Sequence, residues 1–517
     1  MKKYDLFRCL VLMVSFVVLS CGKDDGADGA VTEGPNISSF SPTSGPVGTN
    51  IFITGQNFST TASANTVKIG NTTATVTSAS ATEIFVTVPE GATTGAISVT
   101  VDGQTDTAGT FTVTEENAGS SGITLSQSTL ELFTLDSETL EATITGETGE
   151  VGDILWSSDN ESVATVDENG KVTGISQGQT LINAFISDEV STNCLVNVSP
   201  SVFAVGFEQT DDQTVAKLWK NGIATNLTEG PPFSAATSVF VDGVDVYVCG
   251  IIDNGFPTAV VWKNGELLYQ LSDGSTYAGA SSIFVYEGDV YVTGSEELGQ
   301  NNISSARVWK NGNVSGTLTN GINVEEGAAG EDIFVNETGV YTVGYEESPQ
   351  NINGTPKLWE DNIQIDLTDE QYHGRAQSVF AVGSDVYVAG YENNENDVTL
   401  AKVWINGEAT TLTDGSNDAE AYSVFVSGED VYVAGTNYGE DESEDRAVLW
   451  TNGIAENFSD TGSTASSLYV YKDDVYVGGA IYESPVYQAV VWKNTTPLEL
   501  EITEGTIESA VLSVFVK

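Results

Sequence analysis

Ala401-Lys402-Val403-Trp404-Ile405-Asn406-Gly407 is one of seven similar stretches, each centred on a tryptophan. The tryptophans stand at 219, 262, 309, 359, 404, 450 and 492, spaced 42 to 50 residues apart. The Asn-Gly pair after most of them predicts a two-residue hairpin, because both residues tolerate the positive φ of a type I′ turn. A strand ending in glycine precedes each tryptophan, as in Val246-Tyr247-Val248-Cys249-Gly250 and Val475-Tyr476-Val477-Gly478-Gly479. A shorter run comes before that, as in Ser423-Val424-Phe425-Val426, and another follows the turn, as in Ala409-Thr410-Thr411-Leu412. Four short strands in a repeat of about 45 residues describe a β-propeller blade.

The ends of the block give the count. It starts at Val202-Phe203-Ala204-Val205-Gly206, a second strand with no first strand before it. It finishes on Ser513-Val514-Phe515-Val516, a first strand with no second strand after it. Pairing the two completes seven blades and removes sheet edges that would otherwise aggregate. Residues 199–517 are therefore expected to form a seven-bladed β-propeller closed by the C-terminal strand. Kelch-like repeats also pair a glycine-ended strand with a later tryptophan, but most repeats here lack their double glycine.

Two smaller blocks precede it. Residues 35–115 alternate strand runs such as Ile84-Phe85-Val86-Thr87-Val88 with turn residues, the pattern of a small β-sandwich. The segments Ile37-Ser38-Ser39-Phe40-Ser41-Pro42-Thr43-Ser44-Gly45-Pro46-Val47-Gly48 and Ile53-Thr54-Gly55-Gln56-Asn57-Phe58 resemble the IPT/TIG immunoglobulin-like family. A linker at 116–122 leads to a second block, 123–198. There Trp156-Ser157-Ser158-Asp159-Asn160 and Gly170-Lys171-Val172-Thr173-Gly174-Ile175 resemble the bacterial Ig-like group 2 (BIG2) family. Trp156 reads as a residue between the sheets, and Asn169-Gly170 as a hairpin turn with both residues at positive φ. The chain is thus expected to be all-β: two Ig-like sandwiches followed by a propeller. Both resemblances imply spacer or adhesion modules without a catalytic site.

The N-terminus carries an address. Lys2, Lys3 and Arg8 precede an apolar stretch, Cys9 to Ser20, that is too short to span a bilayer and suits a secretory signal. Val18-Leu19-Ser20-Cys21 resembles a bacterial lipobox, which implies cleavage of residues 1–20 and acylation of Cys21. Several acyl chains on one residue give stable anchoring. In the tether 21–34, Gly22-Lys23-Asp24-Asp25 resembles the acidic tag that carries Bacteroidetes lipoproteins to the outer leaflet; the alternative is a plain polar tether. The expectation is an outer-membrane lipoprotein exposed at the cell surface. Cys194 and Cys249 then remain, in different domains, and read as buried free thiols rather than a disulfide.

Charge excludes several functions. The chain of 517 residues has 73 acidic and 18 basic residues, a formal charge of −55, and one histidine. Such a field repels phosphate backbones, so no nucleic-acid partner is expected. One histidine rules out a multi-histidine metal site and leaves His373 alone for a nucleophile-histidine-acid arrangement; there is no Gly-x-Ser-x-Gly elbow. Acid pairs are too numerous for a glycosidase pair to be read from sequence. No cofactor is expected, although acidic loops such as 323–326, 392–397 and 440–445 could bind Ca²⁺.

Subtracting the repeat separates scaffold from site. Asp245, Asp289, Asp385, Asp430 and Asp474 recur before the Val-Tyr-Val strand and read as turn residues, and the tryptophans as packing. The loops joining strand two to three, and strand four to the next repeat, are long and variable, where binding usually resides. Tyr372, His373 and Arg375 are singular in one such loop, and Pro231-Pro232-Phe233 in another. Phe256, Tyr277, Tyr438, Tyr482 and Tyr487 could stack on sugar rings or shield loop backbone. Tyr372, His373 and Arg375 are expected to contact the ligand, with Phe233 as a second wall. The alternative is that Arg375 pairs with a neighbouring acid and His373 is merely exposed. The functional expectation is a monomer that binds an extracellular glycan or protein without catalysis. The rivals are a propeller glycoside hydrolase or polysaccharide lyase, and a structural subunit of an envelope assembly.

Overall fold

A computed structural model describes residues 34–114, 122–145, 153–187, 190–230, 232–298, 303–319, 327–348, 351–369, 371–459 and 461–517. Cys21 and the acidic loop 323–326 lie outside them. The described residues are nearly all strand and turn, and none of their helices is long and apolar enough to cross a membrane. They pack as two compact units; the second holds Leu125–Thr143, Ile154–Ala184 and Cys194–Lys517.

In the first unit, strand Asn36–Ser41 pairs with Asn50–Gln56, which pairs in turn with Glu83–Thr87. Strand Thr72–Ala79 continues that sheet and also pairs with Thr66–Ile69, which leads to Gly95–Val101 and Gln104–Val113. Alternate residues Ile51, Ile53, Ile84, Val86, Ile97 and Val99 point into one core with Phe111. Alternation gives most of these runs one buried face, while Glu83–Thr87 is covered on both, with Phe85 packed on Phe52.

The group 2 Ig-like region centres on Leu130, Leu132, Val172, Ile182, Cys194 and Val196, with Trp156 packed against them. Cys194 and Cys249 are both buried and free. One detail differs from expectation. The hairpin Ala164–Val166 to Lys171–Gly174 turns through four residues, and only Gly170 has positive φ. The Asp167 carboxylate accepts hydrogen bonds from the Asn169 and Lys171 backbone N–H groups, an Asx turn that replaces the two-residue I′ turn.

The rest of the second unit is a series of four-stranded antiparallel sheets. Five stand alone, and an eight-stranded sheet joins two more through one bridge, Thr214 to Phe233. All seven tryptophan hairpins, including Asp361-Asn362 and Asn494-Thr495, have positive φ at both central residues. The recurring aspartates do more than turn the chain. Asn264 Nδ2 donates to Asp245 Oδ1 at 2.8 Å while Lys263 pairs with the other oxygen, so each aspartate lashes two adjacent hairpins together. The tryptophans are fully buried between neighbouring sheets: Trp309 packs on Cys249 and Val261 of the preceding sheet, and Trp492 on Leu449 and Phe458.

Each first strand carries a bulge at the same place, between Ala236 and Ser238 in one sheet and Gly330 and Asp332 in another. Opposite it lies the recurring glycine of the second strand, which runs on past that glycine rather than ending there, as Asp245–Asp253 does past Gly250. A Cβ on Gly206, Gly250, Gly294, Gly344, Gly390, Gly435 or Gly479 would meet a carbonyl oxygen at 1.9 to 2.1 Å. Close approach at the bulge is why glycine recurs there.

The C-terminal strand Glu508–Val516 pairs antiparallel with Val202–Gln209. Two series of contacts run through all seven first strands and return to their start. Phe240, Phe284, Phe334, Phe380, Phe425, Tyr469, Phe515 and again Phe240 have ring centroids 4.6 to 5.1 Å apart. Two residues earlier, a serine accepts a backbone N–H from the next sheet, as Ser423 does from Leu468 at 3.1 Å and Ser513 from Val239 at 3.3 Å. Asp332 replaces that serine once, accepting from the Ser282 and Ser378 hydroxyls and the Val379 and Ile333 N–H groups.

Candidate functional site

The bulge sets the site. An extra residue in one strand re-aims a side chain away from the regular alternation. The bulged residues are Thr237, Ser281, Glu331, Gln377, Tyr422, Ser466 and Leu512. Two residues before each stand Ala235, Gly279, Ala329, Arg375, Glu420, Thr464 and Ala510. Large polar side chains therefore collect on three consecutive sheets, on the loop side of the serine and aromatic cycles, while the other four sheets carry smaller or apolar groups.

Arg375 Nη1 lies 3.8 Å from Glu331 Oε1, and its guanidinium stacks 4.0 Å from the centre of the Tyr345 ring. Burial pushes the Glu331 carboxyl above the usual carboxylate range, and Arg375 offsets part of that. Glu420 is likewise raised by burial; its carboxylate accepts from the Tyr422 hydroxyl and feels Arg375. Tyr422 and Tyr438 share a hydrogen bond of 2.6 Å. Burial pushes the Tyr391 phenol up to about 12, and the charges acting on it include Glu420, Arg375 and Glu331. Farther along, Asp445 accepts from the Tyr487 hydroxyl at 3.0 Å and from the Gly439 N–H at 3.0 Å. Tyr487 in turn packs on Tyr482 at 5.2 Å.

Of the residues singled out in sequence, Arg375 and Tyr438 enter this cluster, and Tyr482 and Tyr487 lie farther along beside Asp445. The tyrosine hydroxyl of Tyr372 accepts from Gln371 Nε2 at 3.1 Å. His373 Nε2 is 4.0 Å from Asp397 Oδ1, and its carbonyl accepts from the Asn393 N–H. Phe233 opens the first strand of the sheet three units earlier, its backbone paired with Asp253. No hydrogen bond, ion pair or ring contact among the described residues joins any two of Tyr372, His373, Arg375 and Phe233. Arg375 has Glu331 as its acid neighbour, and His373 is half-buried. Glu331, Tyr345, Tyr391, Glu420 and Tyr422 escaped sequence reasoning. Aligning first strands rather than loops exposes the three on those strands, since each stands where the four repeats outside the cluster have a small or apolar residue.

Among the described residues no group of three or more His, Cys, Asp or Glu side chains is placed to hold a metal. A groove of about 670 Å³ runs along an outer edge beside Lys217, Thr225, Asn226 and Thr503. Its one buried cation, Lys217, is already paired with Glu208 at 2.6 Å.

The IPT/TIG domain family matches residues 35–113, and the bacterial Ig-like domain (group 2) family matches residues 120–196. The chain carries both domains. An uncharacterized protein of Clostridium acetobutylicum is 34% identical over 88 residues, which are 17% of this chain and 22% of that protein. A second from the same organism is 33% identical over 79 residues, 15% of this chain and 8% of the other. The chain thus spans under a quarter of the length of these relatives. Among solved structures, an auxiliary nutrient binding protein from Bacteroides thetaiotaomicron aligns with 78% of this chain and 95% of its own, at 13% identity and TM-score 0.21. An exo-1,5-alpha-L-arabinanase from a bovine ruminal metagenomic library aligns with 43% and 97%, at 10% identity and TM-score 0.27. Likenesses this weak bear on neither ligand nor chemistry.

Proposed function

We propose that residues 199–517 form a closed seven-bladed β-propeller whose variable-loop face binds an extracellular glycan or protein without catalysis. The protein is held at the outer surface of the cell by a lipid on Cys21, and it works as a monomer. The returning series of aromatic and serine contacts and the pairing of 202–209 with 508–516 support the ring. The observation that carries the function is the cluster of Glu331, Arg375, Glu420 and Tyr422 on three adjacent first strands. It interrupts an otherwise regular repeat on the face where the loops vary.

The hydrolase alternative would have to use the same cluster. Acid–base pairs work when their environments push two carboxyls apart in pKa, one acid and one base. Glu331 and Glu420 are pushed the same way by the same cause. A binding and turnover screen of the soluble 22–517 chain against glycans and surface proteins tests this reading; turnover that Glu331→Gln and Glu420→Gln abolish would replace it with the enzyme. For the address, Cys21→Ser is expected to release the protein from membranes. Retention after that substitution would remove the lipid anchor from the proposal.

A further inference from the structure

Resting on the binding role proposed for this face, we infer that its ligand is neutral and hydroxyl-rich, the end of an uncharged glycan, seated against Arg375, Glu331 and Glu420. The inference starts from unused hydrogen-bonding capacity. Arg375 sits 3.8 Å from Glu331, beyond hydrogen-bond range, and its guanidinium N–H groups make no hydrogen bond to any described residue. Stacking on Tyr345 holds the plane of those donors fixed. Its side chain is 36% exposed, so the donors are open to a ligand.

Charge then selects the ligand. Arg375 is the cation that acts on Glu331, Glu420, Tyr345 and Tyr391. Glu331 and Glu420 both feel it, so an anionic sugar reaching the guanidinium meets more negative charge than positive. An organic cation finds the face of Tyr345 already covered by Arg375. A neutral vicinal diol meets neither obstacle: one hydroxyl accepts from the guanidinium while its own O–H, or the next one, donates to a glutamate oxygen. Such paired donor and acceptor contacts give polyols orientation without a charge partner. The matching positions on the four sheets outside the cluster are small: Ala235, Gly279, Thr464 and Ala510. Half-buried Tyr391 and Tyr438 add aromatic surface for a sugar ring.

The test uses matched probes on the 22–517 chain, which contains every described residue: cello- and galacto-oligosaccharides as neutral chains, and oligogalacturonides as the charged counterpart. Calorimetry is expected to show binding of a neutral probe, with Kd changing less than about twofold between low and high salt. Glu420→Gln and the charge-free pair Glu331→Gln/Arg375→Met should each weaken it at least about tenfold at unchanged melting temperature. The pair avoids stranding one buried charge, and Lys472→Ala on the opposite hairpins is the control. Binding of oligogalacturonide alone, lost in those variants, would overturn the neutral ligand while keeping the site. No binding to any probe, or binding that the variants leave intact, would overturn the site as well.

Discussion

The hydroxyl of Thr134, in the group 2 Ig-like domain, donates a hydrogen bond to the backbone carbonyl of Lys517, the last residue of the chain, 383 positions away. Around it the contacts converge. Ser201 N–H donates to Thr134 Oγ1 at 2.9 Å, and the Ser201 hydroxyl donates to the Thr134 carbonyl at 2.7 Å. Ser201 and Lys517 also exchange two backbone hydrogen bonds of 2.9 Å. Leu135 packs into the cluster containing Phe203 and Phe515, and Asp136 pairs with Lys220. The Ig-like turn 134–136 therefore grips both strands at the seam of the C-terminal block. That turn is part of the seam.

Thr134→Val should accordingly weaken the C-terminal block although it lies outside the repeats. Thr134 is fully buried, and its loss strips a donor from Lys517 and an acceptor from Ser201. A cost of about 1–3 kcal/mol is expected. Denaturant unfolding followed by tryptophan fluorescence reports it, because seven of the eight tryptophans lie in the repeats. An unchanged midpoint would mean that the seam stands without the Ig-like turn.

Deleting Ser513 to Lys517 removes the strand partners of Val202–Val205 and leaves that edge open. Exposed apolar edges recruit other chains. The truncated protein is expected to melt lower and to form oligomers in light scattering. A monomer with parental melting would show that closure does not depend on this strand.

How much of this was legible depended on what repeats. The hairpins, the buried tryptophans and the pairing of Val202 with Val516 follow from a period that the sequence displays seven times. Arg375 was visible because a cation is rare in so acidic a chain. Glu331 and Tyr422 were not, because their significance lies in occupying a bulge, and a bulge is a matter of register between strands. Thr134 was hidden for another reason: a single threonine gives no signal of a partner 383 residues away.

The repeat also predicts an outcome for the buried ion pair Lys217–Glu208, whose side chains are 5% and 2% exposed. The equivalent positions hold Val260 and Ile252 in one sheet and Val490 and Ile481 in another, and the ion pairs Arg307–Glu296 and Lys402–Glu392 in two more. Desolvation consumes most of the attraction in such a pair, so Lys217→Val/Glu208→Ile should keep stability within about 1 kcal/mol of the parent or raise it. Lys217→Val alone leaves Glu208 buried without its cation and should cost about 3–5 kcal/mol. Thermal melts of the two variants decide it; equal losses would mean that the ionic pair itself is required.

Asp332 is the one carboxylate in a cycle of serines, and its pH dependence follows from that. Burial holds its carboxyl above the ordinary value of 3.8, even with four hydrogen bonds favouring the charged form. The unfolded chain therefore gives up this proton at lower pH than the folded chain does. Between those two values, rising pH favours unfolding; above the folded value the loss is complete and constant. Asp332→Ser restores the serine found on the other six first strands, and its hydroxyl can accept from the Val379 N–H as Ser423 does from Leu468. The variant should be more stable than the parent at neutral pH. Its advantage should shrink as pH falls through the folded value and be gone well below 3.8, where the parent carboxyl is protonated in both states. Urea midpoints at several pH values measure the difference, and a variant less stable than the parent at neutral pH would show that the four hydrogen bonds outweigh the burial of the charge.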